Sequence, residues 1–277
     1  MNKKEILIVL LLFIIACNSN KKQSIAYLEN IQKLYDQGEY AQAKDRLDSI
    51  KMLFPKEFEI QKQGLQLRRR IEVGEQERNL NFCDSLLKIR LSEAETMKSG
   101  FVFEKDPKYD EVGKYIDKSQ QIEAKLQSSY IRTHVNERGE ILLYSVYYGS
   151  RPIHHSRLKV SKSNGEYAET QLIPYDGGLN YSFVDGGMTT EIVTYTQGKD
   201  AGVIQFIYNN KDAALKAEYL GSRKEKYTFT ISPSDKNVLV KIFDFAAVLS
   251  DIDKLKKEKE KSSQRLKYLE EKLSAGN

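Results

Sequence analysis

Two cysteines and three histidines carry most of the reactive side-chain chemistry of this 277-residue chain. Cys17 ends an apolar run, and Cys83 lies in a helical pattern much further along. If Cys17 is itself modified, Cys83 has no partner for an intramolecular disulfide, and we predict a buried free thiol, with an intermolecular disulfide as the alternative. His154 and His155 are adjacent, and neighbours on a strand face opposite sides. With only His134 left to help them, we predict no metal site.

Tyrosines and two Asp-Gly-Gly turns are the other residues that could bind a ligand. Eleven of the 17 Tyr lie between Tyr130 and Tyr227, and the chain has no Trp. Tyr is a good strand former that supplies large core residues, so the first interpretation is packing. The alternative is a solvent-facing platform for sugar rings or an extended peptide, with four candidate residues: Tyr148, Tyr175, Asp176 and Asp185. Calcium takes roughly six to eight oxygen ligands, so the two turns are interpreted as hairpins and not as a cation site.

Short catalytic signatures are missing from the sequence. There is no HExxH, CxxC, GxSxG, P-loop or GxGxxG pattern. We therefore predict no catalytic residues, no cofactor and no enzymatic activity; a hydrolase that uses two distant carboxylates is kept as a third alternative. The formal charge of +5, spread over 30% charged residues of both signs, does not favour nucleic acid as a partner.

The amino-terminal segment has the three parts of an export signal. Lys3 and Lys4 precede eleven apolar residues, 6–16, and the segment ends in Ala16-Cys17. This ending resembles the lipobox of bacterial lipoprotein signal peptides. The resemblance implies diacylglyceryl transfer to Cys17, cleavage after Ala16 and acylation of the new amino terminus. An uncleaved membrane helix would need about 20 apolar residues, and Cys17 disfavours a plain secretory peptide.

The segment after Cys17 predicts on which side of the membrane the protein lies. Residues 17–23 are polar and read as a tether, in which Lys21 and Lys22 follow the lipid site without an acidic cluster. Lipoproteins exported to the cell surface in some Gram-negative groups resemble one another in carrying Asp or Glu there. We therefore expect a lipid anchor in the outer membrane and a periplasm-facing protein.

Apolar residues at three- and four-residue spacing predict a helical hairpin from Ser24 to Pro55. Its second half resembles a tetratricopeptide repeat in the positions Gly38, Glu39, Tyr40, Ala43, Leu47, Ile50 and Pro55. The resemblance implies a turn at the glycine and close helix packing at the alanine. A second repeat, 34 residues on, lacks the turn and small residues, and one repeat forms no long groove. Both a packing hairpin and a partner-binding hairpin remain open.

The run from Glu57 to Lys98 predicts one long helix or two, with a change of apolar register that suggests a bend or break near Gly74. Residues 100–105 read as a loop or short strand. Asp106 followed by Pro107 then has the form of a helix start, and we predict a helix from there to about Ser128.

At Tyr130 the apolar period changes from 3.6 to 2 residues, which predicts short antiparallel strands as far as Ile231. Val203–Tyr208 is among the predicted strands. Ser232-Pro233 then starts a long helix whose apolar seam continues to Leu273. Because nothing after it covers that seam, we predict that it packs along the 57–98 run, with homodimerisation as the competing outcome.

The predicted fold class is α+β: a helical part, an antiparallel β-sandwich-like part, and a long C-terminal helix packing back as a coiled coil. The predicted segments are 1–16 (cleaved signal), 17–23 (tether), 24–128 (helical), 129–232 (β) and 233–274 (helix). The predicted function is a lipid-anchored periplasmic binding or adaptor lipoprotein with a membrane contact and a protein partner. The alternative is a carbohydrate or cell-wall binding module using the Tyr-rich sheet, with a glycan or peptidoglycan ligand, and an envelope hydrolase comes third.

Overall fold

The computed structural model describes residues 3–120, 127–221 and 225–275. The helices are α1 (Lys3–Asp36), α2 (Tyr40–Leu53), α3 (Phe58–Lys98), α4 (Val203–Asn209) and α5 (Pro233–Ser274), with a 3₁₀ turn at Lys118–Gln120. The strands are β1 (Phe101–Glu104), β2 (Lys114–Asp117), β3 (Tyr130–Asn136), β4 (Ile141–Gly149), β5 (His155–Ser161), β6 (Tyr167–Glu169), β7 (Asn180–Asp185), β8 (Met188–Tyr195), β9 (Lys216–Gly221) and β10 (Lys226–Thr230). The fold is therefore mixed α and β, as predicted.

The chain forms two compact units. The helical unit comprises Met1–Leu86 and Lys256–Asn277, and the sheet unit comprises Leu87–Leu255. Helices α3 and α5 each contribute residues to both units. Of the helices described, none combines the length and apolarity needed to cross a membrane.

In the helical unit, α1 and α2 form the predicted hairpin. Gly38 has a φ of +76°, and the N–H of Glu39 donates to the carbonyl of Leu34 at 2.9 Å, a left-handed cap that suits glycine. Ala43 is completely buried, which lets the helices approach closely. The resemblance to a tetratricopeptide repeat stays a prediction. Helix α1 also includes the backbone of residues 17–23, which the sequence assigned to a tether.

The predicted helix break near Gly74 is wrong, because α3 is continuous. The glycine instead accommodates a side chain from α2. A Cβ atom at position 74 would lie 2.6 Å from Oη and 2.8 Å from Cζ of Tyr40. The change of apolar register in the sequence therefore reflects a close side-chain contact and not a break in the helix.

In the helical unit, the end of α5 runs antiparallel to α3. Three contacts define this direction: Arg265 pairs with Glu72, Nδ2 of Asn79 donates to Oγ of Ser262 at 2.8 Å, and Lys259 pairs with Asp84 at 2.5 Å. In the sheet unit, Arg90 on α3 pairs with Asp251 on α5 at 3.0 Å. The two helices thus contact each other in the direction that the sequence left open, whereas coiled-coil packing stays a prediction.

Two antiparallel sheets build the sheet unit. Their strand orders are β1-β2-β3-β4-β8-β7 and β10-β9-β5-β6. One core cluster takes residues from both sheets and from α4, including Leu143, Leu158, Ile204 and Tyr219. A second cluster packs α5 on β1–β3, where the rings of Phe101 and Phe245 stack with centroids 4.8 Å apart. The finer prediction of a β-sandwich remains open.

The predicted helix from Asp106 is wrong. The carboxylate of Asp106 accepts the N–H of Lys108 at 2.8 Å within a turn, and β2 follows from Lys114. Glu137, on the β3–β4 hairpin, accepts the N–H of Gly113 at 2.7 Å and so fixes the end of this turn. The six-stranded sheet therefore begins at β1, before the point where the sequence placed it. Residues 121–126 of the predicted helix lie outside the described residues.

The predicted strand Val203–Tyr208 is also wrong, since these residues form α4. The apolar run fits either period, and the decisive feature lies just before it. The carboxylate of Asp200 accepts the N–H groups of Gly202 and Ile204 at 3.2 and 3.4 Å, which starts a helix. Val203, Ile204 and Ile207 then face the core together.

Candidate functional site

One face of the six-stranded sheet lines an open cleft. Side chains alternate along each strand, so on β3 Ile131 and Val135 enter the core clusters while Arg132 and His134 face the cleft. The cleft has a volume of about 560 Å³, within the usual range for small-molecule sites. Its lining is Lys114, Gln127, Ser128, Tyr130, Arg132, His134, Tyr144, Val146, Tyr148, Tyr181, Phe183, Asp185, Thr190 and Ile192.

The structure separates the four residues that the sequence named as a ligand surface. Tyr148 is half-buried and lines the cleft, as does Asp185 at the tip of the β7–β8 hairpin. Tyr175 is 67% exposed and lines a different, small cavity of about 40 Å³. Asp176 accepts the N–H groups of Asn180 and Gly178, both at 2.9 Å, and these bonds hold the pKa of its carboxyl below the usual value. Asp176 is therefore a turn residue.

His134 is the most unusual residue of the cleft. Its side chain is only 4% exposed, and among the described residues neither ring nitrogen has a hydrogen-bond partner. Burial first, and then the charges of Arg132 and Lys114, lower its pKa to about 3. The imidazole is therefore neutral near pH 7, with one N–H donor and one lone pair that have no partner among the described residues. Native proteins pair most buried polar atoms with protein or ordered water, so an imidazole with two unpaired nitrogens requires an explanation.

Arg132 and Tyr144 flank this histidine. The rings of His134 and Tyr144 have centroids 4.8 Å apart. Burial raises the pKa of Tyr144 against the opposing effect of Arg132, so its hydroxyl stays protonated. Nε of Arg132 is buried, and among the described residues no partner satisfies it. A cation, a neutral imidazole and a phenol thus meet on adjacent strands, where Arg132 lies opposite Tyr144.

A second polar cluster lies on the opposite face of the same sheet. Oγ of Ser145 lies 2.9 Å from Nε2 of His155, and Nδ1 of His155 lies 2.8 Å from Glu191. This is the order of nucleophile, base and acid found in hydrolases. However, Ser145 is completely buried, the hydroxyl of Tyr195 lies 3.4 Å from its Oγ, and Tyr219 stacks on His155. In this geometry a substrate carbonyl does not reach the serine.

Glu191 shows what this second cluster does. Its carboxylate accepts the backbone N–H groups of Ile153, His154 and His155 at 2.7–2.8 Å, in addition to the His155 ring. Burial alone would raise the pKa of Glu191, but the hydrogen bonds from His155 and His154 outweigh it and hold the pKa below its usual value. The ionised carboxylate therefore fixes the connection between β4 and β5.

The remaining sequence predictions concern cysteines and metals. Cys83 is a free thiol and 1% exposed, which confirms the predicted buried position. Burial first, and then the carboxylates of Glu258 and Asp84, raise its pKa. The side chain of Cys17 lies outside the described part of the structure. Within the described residues, no three His, Cys, Asp or Glu side chains are grouped so as to hold a metal ion.

Sequence reasoning missed Arg132 and His134. The only signal in the sequence is that both residues alternate with Tyr130 on the same face of β3. The cross-strand register that places them beside Tyr144 cannot be derived from the sequence of a single strand.

Comparisons of the chain with protein-family models, with curated proteins and with solved structures find no match. The function must therefore be argued from the geometry of the site.

Proposed function

We propose that this protein is a lipid-anchored binding protein of the bacterial cell envelope, and that its sheet unit holds a ligand in the cleft. The anchor rests on the lipobox-like ending at Ala16-Cys17. Lys21 and Lys22, without an acidic cluster after Cys17, support an outer-membrane anchor with the protein on the periplasmic side.

The observation that carries the binding role is the imidazole of His134, which has no hydrogen-bond partner among the described residues. Each buried polar atom without a partner costs roughly 1–3 kcal/mol. The two ring nitrogens of His134 are such atoms among the described residues, and the cleft that this residue lines also contains Tyr130, Tyr144 and Tyr148. This combination favours a polar ligand. A ligand that supplies one donor and one acceptor removes this cost when it binds.

The titrating groups of the cleft favour binding over catalysis. A general base works best when its pKa lies near the working pH. His134, with a pKa of about 3, is a poor base near pH 7, and Tyr144 holds its proton too firmly to be a ready acid. The hydrolase alternative has Ser145 as its best nucleophile, and that hydroxyl is buried in the core.

Co-sedimentation with insoluble envelope polysaccharides and purified peptidoglycan sacculi tests the proposal. We expect the wild-type protein to pellet with at least one of these materials and Tyr148→Ala to stay in the supernatant. Tyr175→Ala is the matched control, because Tyr175 is exposed and lies outside the cleft. Equal pelleting of the two variants would contradict a binding site in the cleft.

A second candidate function, a protein adaptor, is favoured by exposed apolar side chains in the helical unit. Met52 and Phe58 are 78% and 76% exposed, and Leu53 and Leu65 are at least half exposed. Exposed apolar patches often mark protein contacts. The double variant Met52→Asp/Phe58→Asp should then abolish cross-linking to an envelope protein. Tyr148→Ala should leave the same cross-link intact.

A further inference from the structure

We propose that the ligand of the cleft is an acidic saccharide, a sugar or short glycan that carries a carboxylate beside free ring hydroxyls. This inference rests on the proposed binding function and specifies the chemistry of the guest. Three features of the cleft carry it: a guanidinium with no ion-pair partner among the described residues, a neutral buried imidazole, and several tyrosine rings.

The guanidinium of Arg132 selects for an anion. Its Nε is buried without a partner, and among the described residues no carboxylate forms an ion pair with it. Lys114, the other cation of the lining, is already 3.5 Å from Glu104. Asp185 is the acidic residue among the lining side chains that the structure describes, and it lies at the exposed hairpin tip. The planar fork of arginine matches a carboxylate through two parallel hydrogen bonds.

The imidazole of His134 disfavours a ligand that accepts hydrogen bonds but cannot donate one. Neutral imidazole has one N–H and one lone pair, and both are unpartnered among the described residues. A sulfate or an isolated carboxylate only accepts hydrogen bonds, so it would pair with the N–H and leave the lone pair of the imidazole without a donor. A hydroxyl both donates and accepts. Ring hydroxyls next to a carboxylate therefore satisfy His134 and Arg132 together.

The tyrosines suit the rest of a sugar ring. Tyr130, Tyr144, Tyr148 and Tyr181 line the cleft together with Phe183. An aromatic ring offers an apolar face to the C–H side of a pyranose, and a phenol adds a hydrogen bond at its edge. Because burial raises the pKa of Tyr144, its hydroxyl remains able to donate near pH 7.

The test is titration calorimetry of the mature protein with trigalacturonate and with its carboxyl-reduced form, in which each carboxylate is a primary alcohol. We expect the acidic form to bind at least about tenfold more tightly than the reduced form, because its carboxylate makes a charge-assisted hydrogen bond with Arg132. Arg132→Gln should remove this preference, and His134→Phe should weaken both forms. Arg138→Gln is the matched control, since Arg138 pairs with Glu111 outside the cleft and should keep the preference.

Two measurements on the wild-type protein keep the test independent of how the variants fold. Added sodium chloride should weaken trigalacturonate and leave the reduced form unchanged, because exposed charge pairs are screened by salt. Sulfate, which carries no O–H group near pH 7, is the third probe and should compete poorly, because it accepts hydrogen bonds and donates none. Competition by sulfate as strong as that by trigalacturonate would overturn the saccharide.

The remaining outcomes separate the two proposals. Equal affinity for the acidic and reduced forms, lost in Tyr148→Ala, overturns the acidic ligand and leaves a saccharide-binding cleft. No binding of either form, together with no pelleting on polysaccharides or sacculi, overturns both.

Discussion

The carboxylate of Glu191 lies 2.8 Å from Nδ1 of His155, and both side chains are almost completely buried. An ionised carboxylate only accepts hydrogen bonds, so Nδ1 of His155 donates to it, while Nε2 lies 2.9 Å from Oγ of Ser145. One buried acid thereby orients the His155 ring and, through three backbone N–H groups, fixes the entry to β5.

Glu191→Gln should destabilise the sheet unit by about 1–3 kcal/mol or more, the usual cost of leaving buried hydrogen-bond donors without an acceptor. Each carboxylate oxygen faces two donors, so either orientation of the amide points an N–H at another N–H. Urea unfolding followed by circular dichroism measures the change. Glu166→Gln, on an exposed pair with Lys162, is the control and should leave the unfolding midpoint nearly unchanged.

His134 should make folding stability fall as the pH falls. The unfolded chain binds a proton at this residue near pH 6.5, whereas the folded pKa is about 3, so the unfolded state binds more protons between these values. The contribution of His134 to the free energy of unfolding is fully present above about pH 6.5 and decreases toward pH 3. His134→Phe keeps the aromatic contact with Tyr144 but removes the titration. The wild type should therefore lose about 2 kcal/mol more than the variant between pH 7 and pH 5.

Unfolding curves of both proteins at several pH values check this expectation. His154→Phe is the control, because it makes the same replacement at an exposed histidine outside the cleft. Parallel curves for wild type and His134→Phe would show that folding does not change the pKa of His134, which is incompatible with a buried imidazole.

Gly139→Ala should destabilise the sheet unit severely, because the β3–β4 turn packs directly on the backbone of α5. A Cβ at position 139 would lie 2.4 Å from the nitrogen of Ser250 and 2.5 Å from the carbonyl oxygen of Ala246. Gly139 also has a φ of +80°, which costs an alanine about 1–2 kcal/mol. Gly165→Ala is the control, since φ is +91° but a Cβ there meets nothing within 4 Å.

The difference between these two variants isolates the contact with α5 from the backbone strain. We expect Gly139→Ala to be at least about 2 kcal/mol less stable than Gly165→Ala, a typical cost of overpacking. Equal melting temperatures would mean that the turn moves away from α5 without penalty.

The long helices and most hairpins could be predicted from the sequence because each depends on neighbouring residues. The cap at Gly38 and the turn after Asp185 are local chemistry, and Asp185 pairs with Met188 across two glycines with positive φ. The structure differs from the sequence predictions where a contact between residues far apart in the sequence determines the conformation. Gly74 makes room for the side chain of Tyr40, and Glu137 holds the turn before β2. No local sequence pattern reveals either contact.

The candidate site was harder to predict than the fold for the same reason. Tyr148 and Asp185 were named from residue type, but the cleft depends on the register of β3, β4, β7 and β8. That register makes His134 a buried neighbour of Tyr144 and lowers its pKa. In the sequence, His134 is only one polar residue on an alternating strand.

Cys17→Ser should abolish membrane attachment if the lipobox resemblance holds, because the cysteine sulfur is the acyl acceptor that the resemblance implies. We expect an uncleaved precursor that incorporates no fatty-acid label, whereas Cys83→Ser should label and fractionate like the wild type. Labelling of the Cys17→Ser protein would contradict the anchor. Metabolic labelling with an alkyne fatty acid, followed by fractionation of the envelope, makes the comparison.

The end of α5 should stabilise the helical unit through Leu269. This side chain is 2% exposed, although the residues around it on α5 are largely polar. Leu269→Asp buries a charge without a partner and should lower the melting temperature of the helical unit by at least several degrees. Ser263→Asp is the control, because it adds the same charge at an exposed position two turns earlier and should change little.

Sedimentation equilibrium of all three proteins identifies what the leucine packs against. An unchanged monomer mass with a lower melting temperature means that α5 is held by α3 of its own chain, as Asn79 and Ser262 indicate. A wild-type dimer that Leu269→Asp dissociates would instead mean that the seam joins two copies, and the antiparallel contacts would then have to form between chains.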